Sequence, residues 1–263
     1  MQPHNRLEAE AVPPLPEDVT PDQLARPLAR KLAGLGKENS NFVACHLVMA
    51  QDLLQDEPEL AYRHARAAAD RAARVDIARE FAGLTSYFTG RFAEATRELR
   101  TFQRLSGTKH HLPLVVDAMR AIGQGTEAID LAVKAKPSEL DPDEWFELGL
   151  VLAGARADQG QFEAALAQLA RLRRACTDPA LMTRLDEAQT RIEALADGQL
   201  VEDEVTVLYL PNDGVIDWLD LDPEADQPEP ADDAAGSANT PESEASEDDP
   251  VVSKDQSQDG IEQ

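Results

Sequence analysis

"GRFAEATRELRTF", Gly90–Phe102, decides the fold, because two later stretches repeat its opening. "GQGTEA" starts at Gly123 and "GQFEAA" at Gly160, and each puts an Ala five residues after its Gly. "DEPELA", Asp56–Ala61, is a fourth member with Asp56 in the Gly place. The alanines Ala61, Ala95, Ala128 and Ala165 are therefore 34, 33 and 37 residues apart. A period of this size marks a repeated supersecondary unit. The Gly ends one helix of a pair, and the small Ala lets the next helix lie close against it.

Helix signals recur on both sides of these turns. "TPDQ", Thr20–Gln23, offers a cap, a proline at the first helical position and a glutamine that reaches back. "DEPE" at 56–59, "DPDE" at 141–144 and "DPAL" at 178–181 put an acidic cap before a proline. The spacing predicts helices near 21–34, 40–55, 58–74, 76–88, 92–105, 112–122, 125–135, 142–158, 162–175 and 179–197. The short connections favour antiparallel neighbours. Before residue 200 the chain is rich in Ala, Leu, Glu, Gln and Arg, with few β-branched alternations. The expected class is all-α: an antiparallel helix-pair solenoid of about four pairs, with a leading helix at 21–34 and a closing helix at 179–197.

On these marks the chain resembles the tetratricopeptide repeat family, whose 34-residue unit is a helix–turn–helix. "GRFAEATRELRTF" and "GQFEAALAQLARL" carry the family's Gly, aromatic and Ala positions, with Phe92 and Phe162 in the aromatic place. Gly83 and Ala153 stand at its small position in the first helix, seven residues before the turn Gly. The family's Trp is missing, its closing Pro is irregular, and Thr126 stands near the aromatic place of the third unit. The likeness covers about residues 40–176, and "LVMAQDLLQDEPELAYRHARAA" and "LVLAGARADQGQFEAAL" resemble divergent actinobacterial members. It implies a surface for protein partners of no particular kind, because such repeats serve unrelated ones.

Charge divides the chain. Of 50 acidic and 25 basic residues, 20 acidic ones and a single Lys254 fall from Val201 onward. That segment carries a net −19 and the remainder −6. Such a tail repels phosphate and anionic lipid, so nucleic acid and membrane are disfavoured as partners. No apolar run approaches the roughly 18–20 residues of a membrane span. The N-terminus lacks the basic start and apolar centre of a signal peptide. Cys45 and Cys176 have no C-x-x-C partner, which suits a reducing, cytoplasmic setting.

Signatures of chemistry are sparse. The phosphate-loop, dinucleotide, H-E-x-x-H and G-x-S-x-G patterns are absent. "GQG" at 123–125 sits in the repeat register and reads as a turn. Cys45 and His46 are adjacent on a helix and point about 100° apart, so Cys45 reads as a small core residue. His110-His111 reads as a surface pair at a helix start, because a structural metal needs about four ligands and no Cys or His cluster completes them. Neither a catalytic residue, a cofactor nor a metal is expected.

A binding groove is the stronger expectation. In this family the first helix of each pair lines the concave face. Register counting offers Val43, His46, Ala50 and Leu53; Ile77, Glu80, Leu84 and Tyr87; His110, Asp117 and Arg120; and Glu147, Leu150 and Gly154. Arg120 is the sole strong cation among them, so a clamp for a C-terminal carboxylate is not expected. An apolar or helical segment of a partner protein fits better. The same residues could instead pack between helices. The expected role is a protein-binding scaffold or adaptor; the alternatives are an RNA- or ribosome-associated factor, or an enzyme with an unrecognised site.

The second helices carry Arg63, Arg66, Arg71 and Arg74, then Arg97, Arg100 and Arg104, then Arg171, Arg173 and Arg174. Mixed with Asp and Glu, these read as a solvated outer face, or as a strip for an acidic segment. The chain owns such a segment. Residues 1–19 read as a flexible arm, 20–200 as the helical body, 201–222 as an extended docking segment and 223–263 as a disordered acidic tail. "VTVLYL", Val205–Leu210, alternates like a strand, and "VIDWLDLD" sets Ile216, Trp218 and Leu219 among acidic residues, as a docking peptide does. The tail could fold back on the Arg-bearing surface as an autoregulatory element.

Overall fold

The computed structural model describes residues 12–199. The N-terminal eleven residues, the docking segment with Ile216, Trp218 and Leu219, and the acidic tail lie outside the described residues. The helices are α1 (Arg26–Lys31), α2 (Lys37–Asp52), α3 (Pro58–Arg71), α4 (Asp76–Phe88), α5 (Phe92–Ser106), α6 (Leu112–Ala121), α7 (Gly125–Lys134), α8 (Pro142–Asp158), α9 (Phe162–Ala175) and α10 (Pro179–Ala196). Two 3-10 turns, Pro21–Gln23 and Pro137–Glu139, complete the secondary structure of the described residues, which contain no strand.

One expected element is corrected. The helix expected over 21–34 is a 3-10 turn at Pro21–Gln23 followed by the short α1, with Leu24 extended and Ala25 non-helical between them. Pro27 is the cause. It has no N–H to give the carbonyl of Gln23, and its ring disfavours a helical residue before it except at a helix start. The capping glutamine behaves as expected: Gln23 Oε1 accepts the Thr20 N–H at 2.9 Å. The packed chain begins ahead of residue 20, because Pro13 is buried and Val19 packs against the α1–α3 core.

The repeat is visible atom by atom at its turns. Gly90, Gly123 and Gly160 adopt φ of 72°, 78° and 72°, the left-handed region that costs glycine nothing. After each Gly, the next N–H bonds five residues back: Arg91 to Ser86 at 2.8 Å, Gln124 to Met119 and Gln161 to Arg156 at 2.9 Å. This is the bond that closes a helix with a left-handed residue. The following helix then opens with Ala95, Ala128 or Ala165 donating four residues back, each at 2.9 Å. All three alanines, and Ala61, are 0% exposed. The longer last spacing is taken up by the Pro137–Glu139 turn and the 17-residue α8.

From α2 onward each helix packs on the next in sequence, α1 packs on α4 and on the Pro21–Gln23 turn, and α2 on α4, α6 on α8, and α8 on α10 pack as next-but-one neighbours. The core is handed along the chain. Ile77, Ala78 and Phe81 of α4 close one cluster with α1–α3, while Leu84 and Tyr87 of the same helix open the next with α5–α8. α8 serves two clusters in the same way, Leu148, Val151 and Leu152 facing back and Phe146, Leu150 and Ala153 facing on to α9 and α10. Its middle, 148–155, is apolar all round because it is covered on both sides. Over the described residues the packing is all-helical and consistent with a helical repeat.

Candidate functional site

Side-chain bonds between next-but-one helices follow the repeat period. Along the second helices, Arg91 pairs with Glu59 at 3.0 and 2.8 Å, Tyr62 donates to Glu94 at 2.9 Å, and Arg66 reaches Glu98 at 3.5 Å. Each of these bonds spans 32 residues. Glu98 is 2% exposed and takes charge from three guanidiniums: Arg79 at 2.6 Å, Arg97 at 3.0 Å and Arg66. The Arg-rich second helices are therefore partly committed to internal ion pairs, while Arg74, Arg100, Arg104, Arg171 and Arg174 stay exposed.

The first helices carry a second polar row. His111 Nε2 meets Glu80 of α4 at 2.7 Å, and the His111 N–H donates to Glu144 of α8 at 2.6 Å. Tyr87 of α4 donates to Asp117 of α6 at 2.6 Å. Arg120 bridges Asp117 at 2.9 Å and Asp158 of α8 at 3.0 Å. Arg184 of α10 grips both oxygens of Glu147 of α8, one of them at 2.8 Å. Burial holds the Tyr87 phenol well above its ordinary value, aided by the Asp117 carboxylate. Burial also raises the Glu147 carboxyl, against the pull of Arg184.

The expected groove residues fall in this row, but most are turned inward. His46, Ala50, Leu84, Tyr87, Asp117 and Leu150 are buried, as are Val43, Ile77 and Glu147. Leu53, Glu80, Arg120 and Gly154 are partly exposed and His110 is exposed. A one-residue change of register moves a side chain about 100° round the helix, and the neighbouring helix decides which side that covers. Counting from the turn could not supply that.

His46 makes a pair that sequence reading missed. Its Nδ1 lies 2.9 Å from Nδ1 of His64 on α3, both residues 1% exposed. Two protonated nitrogens cannot face each other at that distance, so one donates and the other accepts with both rings neutral. Burial lowers the His46 pKa to about 4, helped by the neighbouring His64 and Arg71. Cys45 beside it is a core residue, 7% exposed, with its thiol pushed up by burial.

His110-His111 is not the plain surface pair the sequence suggests. His111 sits at the α6 cap with φ +61°, its ring half-buried between Glu80 and Phe102. His110 lies beside Asp141 and Glu144, and these three are the described residues close enough to share a metal ion. Its contact with the Glu144 carboxylate raises its pKa above the ordinary imidazole value, against partial burial. Asp141 and Glu144 lie 31 and 34 residues beyond His110, and nothing local to either segment announces the meeting.

Among the described residues, no helix is long and apolar enough to cross a membrane. No known protein family, no curated protein and no solved structure matches the chain.

Proposed function

We propose that the helical body is a tetratricopeptide-like solenoid that acts as a protein-interaction scaffold and has no enzymatic role. The observation that carries this reading is the row of period-spaced bonds joining α4, α6, α8 and α10, with separations of 30 to 38 residues. Side-by-side first helices are what a stacked helical repeat offers to a partner, as one extended surface. The occupant in this reading is an apolar or helical segment of a partner protein, held along the partly exposed edge that includes Leu53, Glu80, Arg120 and Gly154. The acidic C-terminal segment, net −19, is the regulatory element. In this reading it folds back on the exposed arginines of the second helices or into the first-helix edge, and so limits access of the partner.

The test is capture by the full-length chain, followed by binding of the purified captured protein to variants. Leu53→Glu changes the first-helix edge, and Arg100→Glu with Arg104→Glu changes the outer face. Loss of binding with the first variant and retention with the second supports the reading. Equal binding to wild type and Leu53→Glu contradicts it. For the tail, full-length chain and a 1–203 truncation are compared at low and high salt. Equal binding in all four conditions contradicts autoregulation.

A further inference from the structure

Three metal-binding side chains from two separate segments meet beside the start of α8. His110 belongs to the loop between α5 and α6, Asp141 caps α8, and Glu144 lies in its first turn. Their ligand atoms all lie within 4.8 Å of one another. Nδ1 of His110 is 3.3 Å from Oε2 of Glu144. Two donors on a tetrahedral ion with bonds of about 2.1 Å stand about 3.4 Å apart.

Each carboxylate has one oxygen fixed by a backbone N–H. Asp141 Oδ1 accepts from Glu144 at 2.7 Å, and Glu144 Oε1 accepts from His111 at 2.6 Å. Bonds of this kind orient the ligands of metal sites from behind. The remaining oxygen of Glu144 is the unexplained atom. The residue is 1% exposed, and Oε2 makes no hydrogen bond within the protein; its one charged neighbour is the His110 imidazole, 3.3 Å away. A buried carboxylate oxygen left so costs free energy that a cation would recover. His110, 53% exposed, leaves the site open to solvent on one side.

We propose that His110, Asp141 and Glu144 bind a divalent transition-metal ion, zinc first among them. An imidazole with two carboxylates is a nitrogen–oxygen donor set that suits zinc, whereas magnesium prefers six oxygens in an octahedron. Three protein donors leave one position of a four-coordinate ion for a further donor. The ion ties the α5–α6 loop to α8, two neighbouring repeats, so its binding stabilises the fold by mass action.

The experiment is calorimetric titration of the full-length, chelator-stripped chain with zinc in excess magnesium, which occupies the acidic C-terminal segment. The expected result is a one-equivalent step. His110→Gln and Asp141→Asn each weaken it by at least about tenfold, the scale of losses at metal sites. Both keep the wild-type helical circular dichroism, because the imidazole is exposed and Asn caps a helix as well as Asp. Cys176→Ser keeps the step. Absence of the step, an equal step in both site variants, or its loss in Cys176→Ser alone overturns the proposal.

Discussion

Gly83→Ala tests whether helices of a pair approach as closely as the repeat requires. Gly83 lies on α4 opposite Leu99 of α5. A Cβ there would stand 2.6 Å from Leu99 Cγ, 2.7 Å from Cδ2 and 3.0 Å from its backbone nitrogen. Leu99 is 0% exposed, so it cannot swing aside, and the two helices must part. Overpacking of this kind costs about 1–3 kcal/mol, and the upper half applies because backbone is involved. Alanine returns about 1 kcal/mol of helix propensity. The net expectation is a loss of about 1–2 kcal/mol, or a melting point lower by roughly 2–8 °C for a domain of this size. Gly154→Ala is the internal contrast. Its Cβ would meet nothing nearer than Arg120 Nη1 at 3.4 Å, so the propensity gain of up to about 1 kcal/mol is kept. Urea unfolding followed by circular dichroism reads both. If Gly83→Ala is as stable as wild type, α4 and α5 do not pack as described.

Other outcomes follow from single contacts. The neutral His46–His64 pair gives stability that is full above about pH 6.5 and falls as pH drops toward about 4, since the unfolded chain binds more protons in that window. The scale is up to about 3 kcal/mol, and a His46→Gln variant showing the same slope as wild type between those pH values counts against it. Arg79→Met removes the shortest of three cationic contacts to buried Glu98 and is expected to cost about 2–4 kcal/mol in denaturant midpoint analysis. Glu59→Gln loosens an exposed pair with Arg91 and is expected to cost under about 0.5 kcal/mol. Tyr87→Phe strips a buried donor from Asp117, which keeps Arg120, and is expected to cost about 1–2 kcal/mol by the same assay.

The repeat was legible because it is written in residues with a backbone job. A Gly in the left-handed region and an Ala with no room beside it leave a fixed mark five residues apart, and Gly90, Gly123 and Gly160 show it. Pro27 is equally local, but the cap, proline and glutamine of "TPDQ" point to one continuous helix, which the missing Pro27 N–H interrupts. The site was less legible. Burial of Leu84 or Asp117 is decided by the next helix, which sequence periodicity within one helix does not report. The meeting of His110 with Asp141 and Glu144 spans a whole repeat. The signal that could have found it is the period itself, read for polar residues about 31–34 apart.

In the proposed function a partner protein lies along the row of first helices. A photo-crosslinking amino acid placed singly at Leu53 and Gly154, and in comparison at Arg100 and Arg104 on the second helix α5, tests it against the purified partner. Crosslinks from positions 53 and 154, and none from 100 and 104, are expected. Crosslinks from the α5 positions alone would contradict it.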